Sequence, residues 1–118
     1  YLVKGTDSEA NAAALGNLYV AQGQYDRAVS AFGDTNSNAA ALAQIMAEQY
    51  TAAKNTLDAV KNPDGYTYYL KAIVGARTNN AAMVAENLVK AVKLDAALVE
   101  KAKKDLEFKK FAAALLNL

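Results

Sequence analysis

Residues 11–32, NAAALGNLYVAQGQYDRAVSAF, constrain the fold of this chain more than any other stretch. Leu15, Gly16 and Tyr19 precede Gly23, and Tyr25, Ala28 and Phe32 follow it. Small and aromatic residues recurring every three or four positions mark two amphipathic helices joined by a turn. A helix pair of this kind is a packing unit and not a catalyst. It cannot bury its apolar side alone and must stack on a neighbour, so the pattern predicts an array of hairpins.

Composition agrees with an all-α chain. Alanine is roughly a quarter of the 118 residues, proline occurs once and glycine six times, so little interrupts a helix. Small alanines let helices approach closely. The length predicts a single domain over 1–118 with a modest core. The chain opens on Tyr1, which reads as a piece of a longer protein.

The punctuation of the sequence gives eight helices. Thr6 and Glu9 have capping-box spacing and open the first, about 7–22, with Ala14, Leu15, Leu18, Tyr19 and Ala21 on its apolar side. Gly23 ends it. The second, about 25–32, carries Tyr25, Ala28, Val29 and Phe32 and stops at Gly33. Asp34–Asn38 (DTNSN) is a loop of capping residues. Helices follow at about 37–48, with Leu42, Ile45 and Met46 inward, and at about 50–60, with Tyr50, Ala53, Leu57 and Val60 inward. Asn62 as cap and Pro63 at the first position open a helix at about 63–78. Asn79 and Asn80 break it and cap one at about 80–93. Asp95 caps about 96–104, and Asp105 caps about 106–116. An internal repeat runs through the set. Tyr25, Ala28 and Phe32 align with Tyr50, Ala53 and Leu57 at an offset of 25 residues, and Ala81, Val84 and Leu88 lie 31 residues further on.

On these residues the chain resembles the tetratricopeptide repeat family. Leu15, Gly16, Tyr19, Gly23, Tyr25, Ala28 and Phe32 match the small and aromatic positions of its unit, and Ala72, Gly75, Leu88 and Ala91 match them more loosely. KAVKLDA (residues 90–96) is similar to the exit of such a unit, and EKAKKDLEFKKF to the helices that close such arrays. The middle unit departs from the pattern: it is shorter, and Ala40 and Ala41 replace the Leu-Gly pair. The resemblance implies a right-handed α-solenoid of about three hairpins with a terminal helix pair. It also implies a scaffold that binds a peptide or helix of a partner protein. The Ala- and Asn-rich character and the D-x-E-F-x-x-F ending look like segments of bacterial cell-envelope proteins. That likeness implies a periplasmic or outer-membrane-associated setting.

The chain has neither histidine nor cysteine, which removes Ser-His-Asp and Cys-His nucleophiles, disulfides and the common zinc sites. No phosphate-binding glycine loop occurs. DTNSN opens like a calcium loop, but Ala39 and Ile45 stand where glycine and a bidentate glutamate are required. No cofactor, metal or catalytic role is therefore expected. Asp105 and Glu107 read as helix-start residues that offset the dipole. Met46 and Met83 read as core filler.

The net charge of +1 gives no reason to expect a nucleic acid. The charge is uneven: residues 1–64 hold four bases against seven acids, residues 65–118 nine against five. Lys101, Lys103, Lys104, Lys109 and Lys110 read as a solvated face. No apolar run is long enough to span a bilayer.

The aromatic cluster Tyr66, Tyr68 and Tyr69 stands out. In the family's frame Tyr66, Tyr69, Ile73 and Arg77 fall on the inner side of their helix, as Ala13, Asn17 and Val20 do in the first unit. The resemblance therefore implies a partner-binding groove at Asn17, Tyr66, Tyr69, Ile73 and Arg77, hydrophobic with one cationic anchor. The reading with no binding role has Tyr68 and Tyr69 packed on neighbouring helices, hydroxyls in water. The alternative function is a structural spacer or self-association domain, a homodimer packed through Phe108, Phe111, Leu115 and Leu116.

Overall fold

A computed structural model describes residues 6–116, with side chains at 11–111 and 113–115. No strand occurs among the described residues. The elements are α1 (Thr6–Ala21), α2 (Tyr25–Phe32), α3 (Asn38–Met46), α4 (Tyr50–Asp58), α5 (Gly65–Arg77), α6 (Ala81–Leu94), α7 (Leu98–Lys104), a 3₁₀ helix (Leu106–Phe111) and α8 (Ala112–Leu116). The chain divides between Ala59 and Val60 into two compact units, the first holding α1–α4 and the second α5–α8. Among the described residues no helix is long and apolar enough to cross a membrane.

Three hairpins, α1–α2, α3–α4 and α5–α6, turn in the same way. The middle residue of each turn has positive φ: Gly23 (76°), Glu48 (64°) and Asn79 (58°). The next amide donates back five residues: Gln24 to the Tyr19 carbonyl (2.8 Å), Gln49 to Gln44 (2.8 Å), Asn80 to Gly75 (2.7 Å). The middle amide donates back three: Gly23 to Val20 (3.0 Å), Glu48 to Ile45 (3.0 Å), Asn79 to Ala76 (3.2 Å). This pair of bonds is the Schellman closure, which satisfies carbonyls that a helix end leaves open. The three left-handed residues are separated by the same 25 and 31 positions as the sequence repeat.

In the first unit Ala28 and Phe32 of α2 share one buried cluster with Ala40 and Ala43 of α3, and Ala13, Tyr19, Val20, Val29 and Ala39 pack against it. Gly16 makes this possible. A Cβ there would lie 2.4 Å from Phe32 Cε2, so the ring sits directly on the α1 backbone. That contact fixes the rotation of α1 and corrects the predicted apolar side. Gly16 faces inward, and Ala13 and Val20, three behind and four ahead, go with it. Ala14, Leu15, Leu18 and Ala21 are exposed, and only Tyr19 of the predicted set is half-buried. On α3 the alanines Ala40, Ala41 and Ala43 are buried beside Ile45, while Leu42 and Met46 are half-buried. Ala53, Thr56 and Leu57 are buried on α4, and Tyr25, Tyr50 and Val60 half-buried.

In the second unit α5 and α6 make the most extensive contact of any two elements. Gly75 permits it: a Cβ there would lie 3.0 Å from both Met83 Cβ and the Val84 nitrogen. Tyr69, Ala72, Val84, Leu88 and Ala91 form one core with Leu98, Ala102 and Phe108 of the segment that follows. Ala81, aligned by sequence with Tyr25, is exposed.

Several helix starts differ from expectation. Helix α5 begins after Asp64 and not at Pro63. Asp64 Oδ1 accepts from the Thr67 amide (2.9 Å), and Thr67 Oγ1 accepts from the Asp64 amide (3.0 Å). This reciprocal box satisfies two orphan donors at once, more than a proline at the first position offers. Asn80 caps α6 as expected, accepting from the Met83 amide (3.1 Å), and Ser37 caps α3 (3.1 Å to Ala40). Asp95 does not cap α7. Its Oδ1 accepts from the amide of Ala97, two residues on (3.1 Å), forming an Asx turn that delays the helix to Leu98. The Thr6–Glu9 box lies outside the described side chains.

The single helix expected at 106–116 is a 3₁₀ helix followed by α8. In a 3₁₀ helix side chains three apart eclipse. Phe108 and Phe111 therefore line one edge, Phe108 fully buried and Phe111 packed on the same cluster. Ala114 and Leu115 of α8 pack there too.

Candidate functional site

Tyr66, Tyr69, Ile73 and Arg77 recur at helical spacing and share one side of α5. Asp64 and Gly65 set where this side begins. A Cβ at Gly65 would meet Asp95 Cβ at 2.9 Å and the Ala91 carbonyl at 3.0 Å, so the start of α5 lies close on the end of α6.

The side is covered by the chain's own segment 105–111. Tyr69 is only 1% exposed, and its hydroxyl donates to Asp105 Oδ2 at 2.6 Å. Its ring meets Phe108 edge-on, centroids 5.4 Å apart at 87°. Eight residues along, Arg77 grips Glu107 with two nitrogens: Nε lies 3.1 and 3.2 Å from the two carboxylate oxygens and Nη2 2.6 Å from Oε2. Ile73, between them, is half-buried and packs against the same core. Tyr66 is the open end of the row, 37% exposed, its ring 6.4 Å from Tyr69 and inclined 18°. Asn17 is exposed on α1, in the first unit.

The energies rank these contacts. A hydrogen bond to a charged group contributes about 1.5–3 kcal/mol. Burial of a phenylalanine contributes about 1.5–3 kcal/mol. The Arg77–Glu107 pair keeps 28% of each side chain in solvent, and such pairs contribute about 0.2–1 kcal/mol. Phe108 and the Tyr69–Asp105 bond therefore hold the segment, and the ion pair fixes its register. Burial, and then the bond to Asp105, hold the Tyr69 hydroxyl well above the ordinary tyrosine range. Burial also raises that of Tyr66. Tyr69 is thus a protonated donor at neutral pH and is not poised as a base.

Sequence reasoning placed Tyr69 and Arg77 on one side but missed Asp105, Glu107 and Phe108 as their partners. The signal was the D-x-E-F spacing. Asp105 does accept from the Glu107 amide (3.0 Å), as a residue at a helix start does, while its other oxygen takes the tyrosine. Nor is the Tyr69 hydroxyl in water, as the reading without a binding role had it. Tyr68 is half-buried, with Lys71 and Lys90 Nζ at 5.1 and 5.7 Å from its ring centre. Phe108, Phe111 and Leu115, expected between chains in the self-association reading, pack within this chain, and Leu116 lies outside the described side chains.

No family model matches the chain, and no curated protein or solved structure matches it.

Proposed function

We propose that the chain is a non-enzymatic protein-interaction module of tetratricopeptide type. In this reading it holds a peptide or short helix of a partner protein on the Tyr66–Arg77 side of α5. One observation carries it: that side already holds a peptide-like segment, Asp105–Phe111, through a buried tyrosine donor, an aromatic edge and a two-pronged arginine. The partner segment this chemistry selects has a carboxylate for Tyr69, a second for Arg77 and an aromatic residue between Tyr69 and the core. It enters by displacing the chain's own segment, and the exposed Tyr66 is where it first lands.

The test is binding of a fluorescent peptide of residues 104–112 to the whole chain and to its Phe108→Ala variant. Loss of about 1.5–3 kcal/mol of self-docking raises affinity for the added peptide about 10- to 100-fold. Arg77→Glu in the same background weakens it. Equal weak binding by all three proteins refutes the proposal.

A second reading is favoured by the zero exposure of Phe108 and the packing of Phe111 and Leu115. Here the segment is a permanent cap and the chain a structural spacer. Phe108→Ala then lowers stability without creating any peptide binding.

A further inference from the structure

The outer face of α1 carries two leucines that no described neighbour covers: Leu15 is 44% and Leu18 52% exposed. The hairpin repeat says what these positions do elsewhere. The left-handed turn residues Gly23 and Glu48 align α1 on α3 at an offset of 25, which puts Ala14, Leu15 and Leu18 onto Ala39, Ala40 and Ala43. Ala40 and Ala43 are the residues by which α3 enters the buried cluster of Ala28 and Phe32 on the preceding helix α2, with Ala39 packed beside them. The next offset, 31, puts Ala14 and Leu18 onto Leu70 and Val74 of α5, both buried, and Leu15 onto the half-buried Lys71. The Leu18 position is thus buried in the second and third hairpins and exposed in the first, and the Leu15 position is buried in the second and half-buried in the third. Beside it runs an open furrow of about 430 Å³ between α1 and α2, lined by Leu15, Tyr19, Ser30 and Ala31 with the charged Asp26 and Arg27.

From this we infer that the Ala14–Leu15–Leu18 face of α1 is a stacking interface for the second helix of another hairpin of this same repeat. The occupant presents what α2 presents to α3: a small residue and an aromatic four positions apart, Ala28 and Phe32 here, with an aliphatic between them. Larger side chains on α1 than on α3 set a wider spacing for that neighbour than the alanine-lined α2–α3 contact has. The interface is independent of the α5 site and of what binds there.

The chain has no cysteine, so a single Leu18→Cys variant reports this face by its rate of thiol alkylation. The rate is measured in the chain as it stands and in a chain carrying a second copy of residues 6–37 directly ahead of α1. The expected result is fast, concentration-independent labelling in the first and at least about ten-fold slower labelling in the second. The duplicated hairpin also adds helical circular dichroism, and Leu18→Asp removes that gain. Labelling equally fast in both chains overturns the inference, as does a duplicate that adds no helical signal. Protection that grows with the concentration of the unextended chain overturns it too, because a second copy is then the occupant. None of these outcomes depends on peptide binding at α5.

Discussion

The three hairpin turns form a natural experiment, since one backbone geometry is built on Gly23, Glu48 and Asn79. The left-handed region costs a residue with a Cβ about 1–2 kcal/mol. Replacing Glu48, at φ 64°, by glycine recovers that strain. It also adds unfolded-chain freedom worth about 0.4–1 kcal/mol. The net gain is about 0.5–1 kcal/mol, a rise in Tm of about 2–4 °C for a chain of this size. Gly23→Ala runs the same sum in reverse. A Cβ at Gly23 meets nothing within 4 Å, so no packing term enters and the loss is again about 0.5–1 kcal/mol. Asn79→Gly gains less, because asparagine tolerates this region through its short polar side chain. Thermal melts followed at 222 nm, with urea titrations to check that the slope m is unchanged, give all three values. A Glu48→Gly chain that melts at or below the parent temperature refutes the reasoning, because the turn would then be held by the glutamate and not in spite of it.

Gly16→Ala places a methyl 2.4 Å from the Phe32 ring, so it destabilises by about 1–2 kcal/mol although alanine is the better helix former. Phe32→Leu in the same chain restores part of the loss, and strict additivity in this double-mutant cycle counts against the contact. Phe108→Ala empties a fully buried site, so the cavity left behind adds to about 1.5–3 kcal/mol of lost burial and the whole cost to stability is about 3–5 kcal/mol; a melt within a degree or two of the parent shows that the segment is not part of the core. The raised titration of Tyr69 makes stability pH-dependent at the alkaline end. Folding favours its neutral form, so the contribution is complete below the unfolded value of about 10 and falls as pH rises past it. Between about pH 10 and 12 the parent loses more stability than Tyr69→Phe, which keeps only the smaller share of Tyr66. Parallel alkaline slopes for the two chains contradict this.

The hairpins and their spacing were legible because glycine, asparagine and apolar periodicity act locally. The offsets of 25 and 31 read from Tyr25, Tyr50 and Ala81 recur in the turn geometry itself, even where glutamate replaced glycine. The rotation of α1 was not legible, because hydrophobicity points to Leu15 and Leu18 while the closest contact is made by a residue with no side chain. The alanines of α3 hid their importance in the same way. The start of α5 was misplaced because Pro63 is a louder signal than the Asp64–Thr67 pair, which acts only when both side chains engage. At the candidate site the helical spacing of Tyr66, Tyr69, Ile73 and Arg77 was readable. Their partners were not, because Asp105 and Phe108 come back from more than 30 residues away, and spacing along the chain says nothing about which loop returns.

The separation of Tyr69 from Asp105 by 36 positions orders events during synthesis. Helix α6 ends at Leu94, so the α5–α6 pair leaves the ribosome about ten residues ahead of segment 105–111, and synthesis proceeds from the N-terminal end. Until those residues are released, a nascent chain displays a tyrosine, an isoleucine and an arginine on one unshielded strip. A chaperone or an assembly partner meeting the polypeptide in that interval finds Tyr69 uncovered, which the finished molecule buries.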